Sequence, residues 1–161
     1  MDSNVCSLHI NFKPQESQKG VLGDDGAAHK SQGSQDAAHD FTTLQKHKVS
    51  HILNVAFGVD NVFPELFIYK TVSIKDQPDT DLSLHIQDCC GFISEAQNEK
   101  GVVLVHCNTG VSRAPAVVIG YLMLRGGLSF KDALSLVQTA RPNSAPNPGF
   151  MEQLQKYQTV H

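Results

Sequence analysis

Val102-Val103-Leu104-Val105 limits what this chain can become more than any other segment: four apolar residues in a row, opened by Gly101, with no polar alternation. A strand wet on one side alternates, so an unbroken run of this length reads as a central strand covered on both faces. Such strands belong to parallel sheets whose crossovers are helices. The flanking patterns agree. Ala38, Phe41 and Leu44, following Gln35, have helical spacing and precede an apolar run from Val49 to Val55. Phe67 to Ile74 is a second β-branched run, and Ile86, Cys90 and Ile93 mark a helix over Leu82 to Ala96. Beyond the central strand, Ala116 to Leu124 reads as a buried helix ending near Gly126-Gly127, and Ser129 with Asp132 three residues on is a capping pattern for the next. A last helix starts near Pro148, with Phe150, Leu154 and Tyr157 on one face. The expected fold class is α/β, a central, mostly parallel twisted sheet flanked by helices on both faces.

The chain has 161 residues and is 40% hydrophobic, enough for one core. Residues 34–161 are expected to form the folded domain, and residues 1–33 an N-terminal segment that is flexible or partly strand-forming. Positions 13–35 are rich in Gly, Ser, Gln, Asp and Lys and bury too little to offset the entropy of ordering. Upstream, Val5, Leu8, Ile10 and Phe12 include an alternating stretch compatible with a short strand and equally with an unstructured tail.

Charge and cysteine usage exclude several classes. A formal net charge of -3 lacks the broad basic field that nonspecific nucleic-acid binding requires. The longest nearly apolar run, Ala114 to Leu124, is too short to span a bilayer, and Met1 to Gly20 lacks the pattern of a signal peptide, so a soluble cytoplasmic protein is expected. Cys6, Cys89, Cys90 and Cys107 form no CxxC pair, which argues against structural zinc and disulfides. Cys89 and Cys90, in mid-helix, read as small core hydrophobes. His47 and His51 stand four apart, but His51 falls within a predicted strand, which disfavours a helical metal pair.

The chemistry concentrates where the central strand ends, at His106-Cys107-Asn108-Thr109-Gly110-Val111-Ser112-Arg113. At average residue usage the pattern HCxxGxxR arises by chance in a chain of this length on the order of a few times in ten thousand. A loop curling around the first turn of a helix points backbone N–H groups inward, and with the helix dipole these bind a phosphate dianion. Gly110 permits that backbone, and Arg113 adds a planar, permanently charged fork. The same field favours thiolate at Cys107; such sites lower a cysteine pKa from about 8.5 to between about 3.5 and 7.5. His106 is expected to orient the loop and support the thiolate. A leaving alkoxide or phenolate needs a proton, and Asp76, just after the strand ending at Ile74, can reach the same sheet edge. Asp79 and Asp81 are its rivals, and an Asp before Gln-Pro is commonly a turn residue.

The run Val105 to Arg113, with Gly120-Tyr121-Leu122-Met123 after it, resembles the dual-specificity branch of the protein tyrosine phosphatases. Ser34 to Asp40, His51 to Ala56 and Arg141 to Leu154 carry the likeness further, so that it covers roughly Ser34 to Gln158. The resemblance implies the compact fold of that branch. It also implies a metal-free, cofactor-free, two-step hydrolysis through a phosphocysteine, acting on phosphotyrosine and on phosphoserine or phosphothreonine in proteins. Cys107 then matches the nucleophile, Arg113 the phosphate-binding arginine and Asp76 the general acid, with Asn108 to Ser112 lining the phosphate. Phosphoprotein substrates are the implied partners, with stress-activated MAP kinase pathways as their setting; nothing points to nucleic acid or membrane, and the oligomeric state is left open.

Two departures stand out. Relatives have an apolar edge strand just before the segment matching Ser34, whereas Ala27 to Gly33 stands there in this chain; either the sheet is incomplete or residues 4–12 fill the gap. Many relatives carry Ser or Thr after the arginine to assist breakdown of the phosphoenzyme, and this chain has Ala114. Competing readings are a module that docks phosphoproteins or kinases with little turnover, and a phosphatase for phosphoinositides or RNA 5′-phosphates. The signature loop has no lysine, which argues against an inositol polyanion.

Overall fold

The computed structural model describes residues 7–11, 40–56, 58–107 and 112–160. The expectation for residues 13–35 therefore lies outside the described residues, as do Cys6 and the start of the helix expected from Gln35. The described elements run β1 (Ser7–Asn11), α1 (Phe41–Lys46), β2 (His51–Asn54), β3 (Ile68–Thr71), α2 (Ser83–Asn98), β4 (Val102–His106), α3 (Arg113–Leu124), α4 (Phe130–Ala140) and α5 (Pro148–Val160).

The strands form one sheet in the order β1-β4-β2-β3. β4 is interior, as its apolar run requires. It pairs parallel with β2, Leu53 opposite Val105 and Asn54 opposite His106, and β2 pairs parallel with β3. On its other side β4 meets β1 in antiparallel register, from Ser7 opposite His106 to Asn11 opposite Val102. Residues 7–11 thus occupy the edge that the sequence left in question, and the sheet is mostly parallel with one antiparallel edge.

Alternation across the sheet assigns its two faces. Leu53, Val103 and Val105 point into the larger core, packed against α2, α3, α4 and α5. Ile52 and Leu104 point the other way, where they meet Leu44 of α1 and Val49, with Phe63, Phe67 and Tyr69 closing the layer. Each fully buried Val or Leu contributes about 1.5–3 kcal/mol of transfer free energy, so both faces favour the same register.

α3 lies at the centre of the larger core: every residue from Arg113 to Met123 is buried. Gly127, at φ 75°, reverses the chain after it, and Ser129 Oγ accepts from Asp132 N at 3.1 Å to start α4. β3 ends at Thr71, short of the run that reaches Ile74. Val72 N still donates to Asn54 O at 2.9 Å, after which residues 73–82 leave the sheet as a loop.

Candidate active site

β2, β3 and β4 are mutually parallel, so their carboxyl ends lie on one side of the sheet, the side on which ligands bind in such folds. Cys107 follows β4 directly at that edge and is fully buried. The carbonyl of His106 accepts from Val55 N at 2.9 Å, which fastens the end of β4 to the end of β2. The cradle residues Asn108, Thr109, Gly110 and Val111 lie outside the described residues. Both of its flanks are described: His106 and Cys107 on one side, Ser112 and Arg113 on the other.

Arg113 opens α3 and is only 5% exposed. Its Nη1 donates to the Ile74 carbonyl at 2.9 Å, while its Nε is buried with no hydrogen-bond partner among the described residues. No carboxylate pairs with it among those residues. A buried guanidinium with an unsatisfied donor is costly by itself, and an anionic oxygen would relieve that cost.

The bond to Ile74 also draws in the loop bearing Asp76, two residues further on. The exposed Asp76 carboxylate takes a hydrogen bond at Oδ1 from Asn147 Nδ2 at 2.9 Å, and Asn147 N donates to Ser112 Oγ at 2.8 Å. Asp76, Asn147, Ser112, Arg113 and Ile74 therefore form a closed circuit through backbone and side chains. Asp81 is differently placed. It accepts from Ser83 Oγ at 2.6 Å and Ser83 N at 3.0 Å, and the Ser83 hydroxyl chiefly holds its carboxyl below the usual range. A carboxyl committed to the start of α2 and stabilised as the anion is a poor proton donor, so the circuit favours Asp76 over Asp81. Asp79 is exposed on the same loop.

The remaining sequence candidates stand away from this edge. Burial pushes the Cys89 thiol up to about 12 and the Cys90 thiol up to about 11, as suits core residues. His51 lies at the amino end of β2, away from Cys107. Its Nδ1 is 2.7 Å from Ser50 Oγ, its Nε2 is 3.2 Å from Glu99 Oε1, and its ring packs edge-on against Phe92. Those contacts use both ring nitrogens within the fold. Nothing local in the sequence marks Asn147, which sits in a Pro-Asn-Pro-Gly run that reads as a helix start and no more.

Residues 32–160 match the family described as "Dual specificity phosphatase, catalytic domain", and the chain belongs to that family. It is 60% identical over 126 residues to mouse dual specificity protein phosphatase 19, a match covering 78% of this chain and 57% of that protein. The chain thus spans little more than half the length of that relative. A Dictyostelium discoideum relative, MAP kinase phosphatase with leucine-rich repeats protein 3, is 40% identical over 127 residues, 78% of this chain and 15% of the relative. Among solved structures, human DUSP28 superposes with a TM-score of 0.73 at 35% identity, over 80% of this chain and 90% of that one.

Proposed function

We propose that the chain is a dual-specificity protein phosphatase that hydrolyses phosphotyrosine and phosphoserine or phosphothreonine through a phosphocysteine. The observation that carries this reading is Arg113, a buried cation with an orphaned Nε, at the carboxyl flank of the segment that begins with Cys107.

In the first step the Cys107 thiolate attacks phosphorus, the S–P bond forms, and the bond to the leaving oxygen breaks as Asp76 protonates that oxygen. In the second step water attacks the phosphocysteine, giving its proton to the Asp76 carboxylate, and the Cys107 thiolate departs. Arg113 and the inward N–H groups expected of residues 108–112 hold the three equatorial oxygens in both steps. Retention of Cys107, Asp76 and Arg113 together favours turnover over mere docking. The earlier resemblance and the name of the Dictyostelium relative support a place in MAP kinase signalling, with phosphorylated kinases as the partners.

Phosphate release from tyrosine- and threonine-phosphorylated peptides, measured with chelator present, tests this reading. The wild type should release phosphate from both, and Cys107→Ser should release none while still binding the peptides, because an unactivated hydroxyl is a far weaker nucleophile than a thiolate. Activity retained by Cys107→Ser would remove Cys107 from the mechanism. Binding without release by the wild type would make the chain a docking module.

A further inference from the structure

We infer that Asn147 is a positioning residue for the Asp76 carboxyl, with its amide locked in orientation by the helix that it caps; this rests on the proposed role of Asp76 as general acid. Asn147 immediately precedes Pro148, the first residue of α5, and its Oδ1 accepts from Phe150 N at 2.9 Å. That is an N-cap with proline at the first helical position, each satisfying a known preference of helix starts. With the amide oxygen spent on the cap, only the amide nitrogen remains to face outward, and it donates to Asp76 Oδ1 at 2.9 Å. Rotating the amide would set its NH₂ against the Phe150 N–H and remove the donor from Asp76. The orientation is therefore fixed by helix capping, and the acid is placed by that orientation.

Four further contacts make α5 the platform for the acid loop. Asn147 N bonds Ser112 Oγ, so the same residue registers the acid loop against the end of the signature loop. A methyl group built on Gly149 would overlap the carbonyl oxygen of Pro78, so the loop backbone lies directly on the first turn of α5. One turn further along, Gln153 Oε1 accepts from Leu82 N and its Nε2 donates to Thr80 O, both at 2.8 Å. The segment from Asp76 to Leu82 is thus held at both ends by one helix.

The chemical consequence is a choice between the two oxygens of Asp76. A neutral carboxyl accepts a hydrogen bond best at its carbonyl oxygen, so a donor at Oδ1 places the transferable proton on Oδ2. Asn147 thereby sets which oxygen protonates the leaving group, and the direction in which it does so.

Two variants that preserve the cap test this. Serine and aspartate are both strong N-caps, so Asn147→Ser and Asn147→Asp keep α5 while removing the donor. Asn147→Ser should lower kcat/KM for a phosphotyrosine peptide about tenfold or more, with less than about a twofold change for an aryl phosphate whose leaving group needs no proton. Asn147→Asp sets a second carboxylate beside Asp76 and should move the alkaline limb of kcat/KM for the peptide upward by about one pH unit, because like charge raises the pKa of the acid. Equal losses on both substrates, or an unmoved alkaline limb, would overturn the inference by making Asn147 a cap alone. If Asn147→Ser lost its cooperative melt, the limb of Asn147→Asp would decide. Asp76→Asn run alongside separates the two levels. If it too shows no dependence on leaving group, the acid assignment falls and Asn147 falls with it; if it shows that dependence and the Asn147 variants do not, Asn147 alone is refuted.

Discussion

Arg113→Lys separates the two tasks that the proposed mechanism gives to one guanidinium. Nη1 supplies the Ile74 carbonyl at 2.9 Å, and Nε, with no acceptor among the described residues, is left for phosphate. Lysine keeps the charge but concentrates it on one nitrogen at the end of a flexible stem, which cannot serve the carbonyl and a bidentate phosphate together. Depriving the carbonyl of fully buried Ile74 of its donor costs about 1–3 kcal/mol of stability. At about 2–4 °C per kcal/mol for a chain of this size, Tm should fall by roughly 2 to 12 °C. Two charge-assisted bonds to phosphate, at about 1.5–3 kcal/mol each, would be lost or weakened. That loss corresponds to a fall in kcat/KM of about 10² to 10⁴. Thermal melting, with kcat/KM on a phosphotyrosine peptide measured well below the melt, reads both effects on one sample. A folded variant that lost less than about tenfold in kcat/KM would mean that Arg113 holds the Ile74 loop and does not grip phosphate.

Ala114 is fully buried beside the signature loop, and Ala114→Ser should offer the departing Cys107 thiolate a hydrogen bond of about 1.5–3 kcal/mol, speeding phosphoenzyme breakdown roughly 10- to 150-fold. Rapid-quench kinetics on an aryl phosphate should show a wild-type burst near one equivalent that shrinks in the variant; no wild-type burst, with an unchanged kcat in Ala114→Ser, would make the missing hydroxyl silent. Ser144 buries its Oγ with no hydrogen-bond partner among the described residues, so Ser144→Ala should be neutral or stabilising by about 1 kcal/mol in denaturant melts, and a clear loss would reveal a partner for that hydroxyl. The Ser83 contacts hold the folded-state pKa of Asp81 below its unfolded value. Their stabilisation is therefore present above the unfolded pKa of about 3.9 and is lost as pH falls through the lower folded value. Asp81→Ala should lower Tm at neutral pH and flatten its decline on acidification; parallel curves for the two proteins would refute that linkage.

The elements legible in the sequence are those whose signal is local. Val102 to Val105 announced an interior strand because a run without alternation has few other uses, and Ser129 with Asp132 announced a cap because the two partners are three residues apart. The limits of β3 were harder to read. Val72 and Ile74 stay buried like strand residues, yet the ladder ends at Thr71, since burial and pairing are separate properties that share one apolar signature. At β1 the alternation was too short to distinguish strand from tail; the pairing partner, some ninety-five positions away, decides it. Asn147 was invisible for the same reason, as its two bonds to the site cross 35 and 71 positions of chain. Cys107 and Arg113, the proposed nucleophile and phosphate ligand, sit on one continuous motif that the sequence displays. The circuit joining Arg113 to Asp76, the proposed acid, is tertiary and no such motif displays it.

The place of β1 in the sheet bears on the order in which the molecule is completed. β4 delivers Cys107, and β4 is interior only because a strand from the far end of the chain lies against it, with Ser7 opposite His106. Closing a loop of that length is entropically more expensive than the short-range pairing of β2 with β3, and contacts at such separation form late. β4 should therefore acquire its second neighbour after the rest of the sheet has formed. Until then its backbone donors and acceptors present an open template, available to the amino-terminal segment of another copy as readily as to its own. Correct assembly around Cys107 becomes a contest between intramolecular closure and strand exchange, and protein concentration sets the odds.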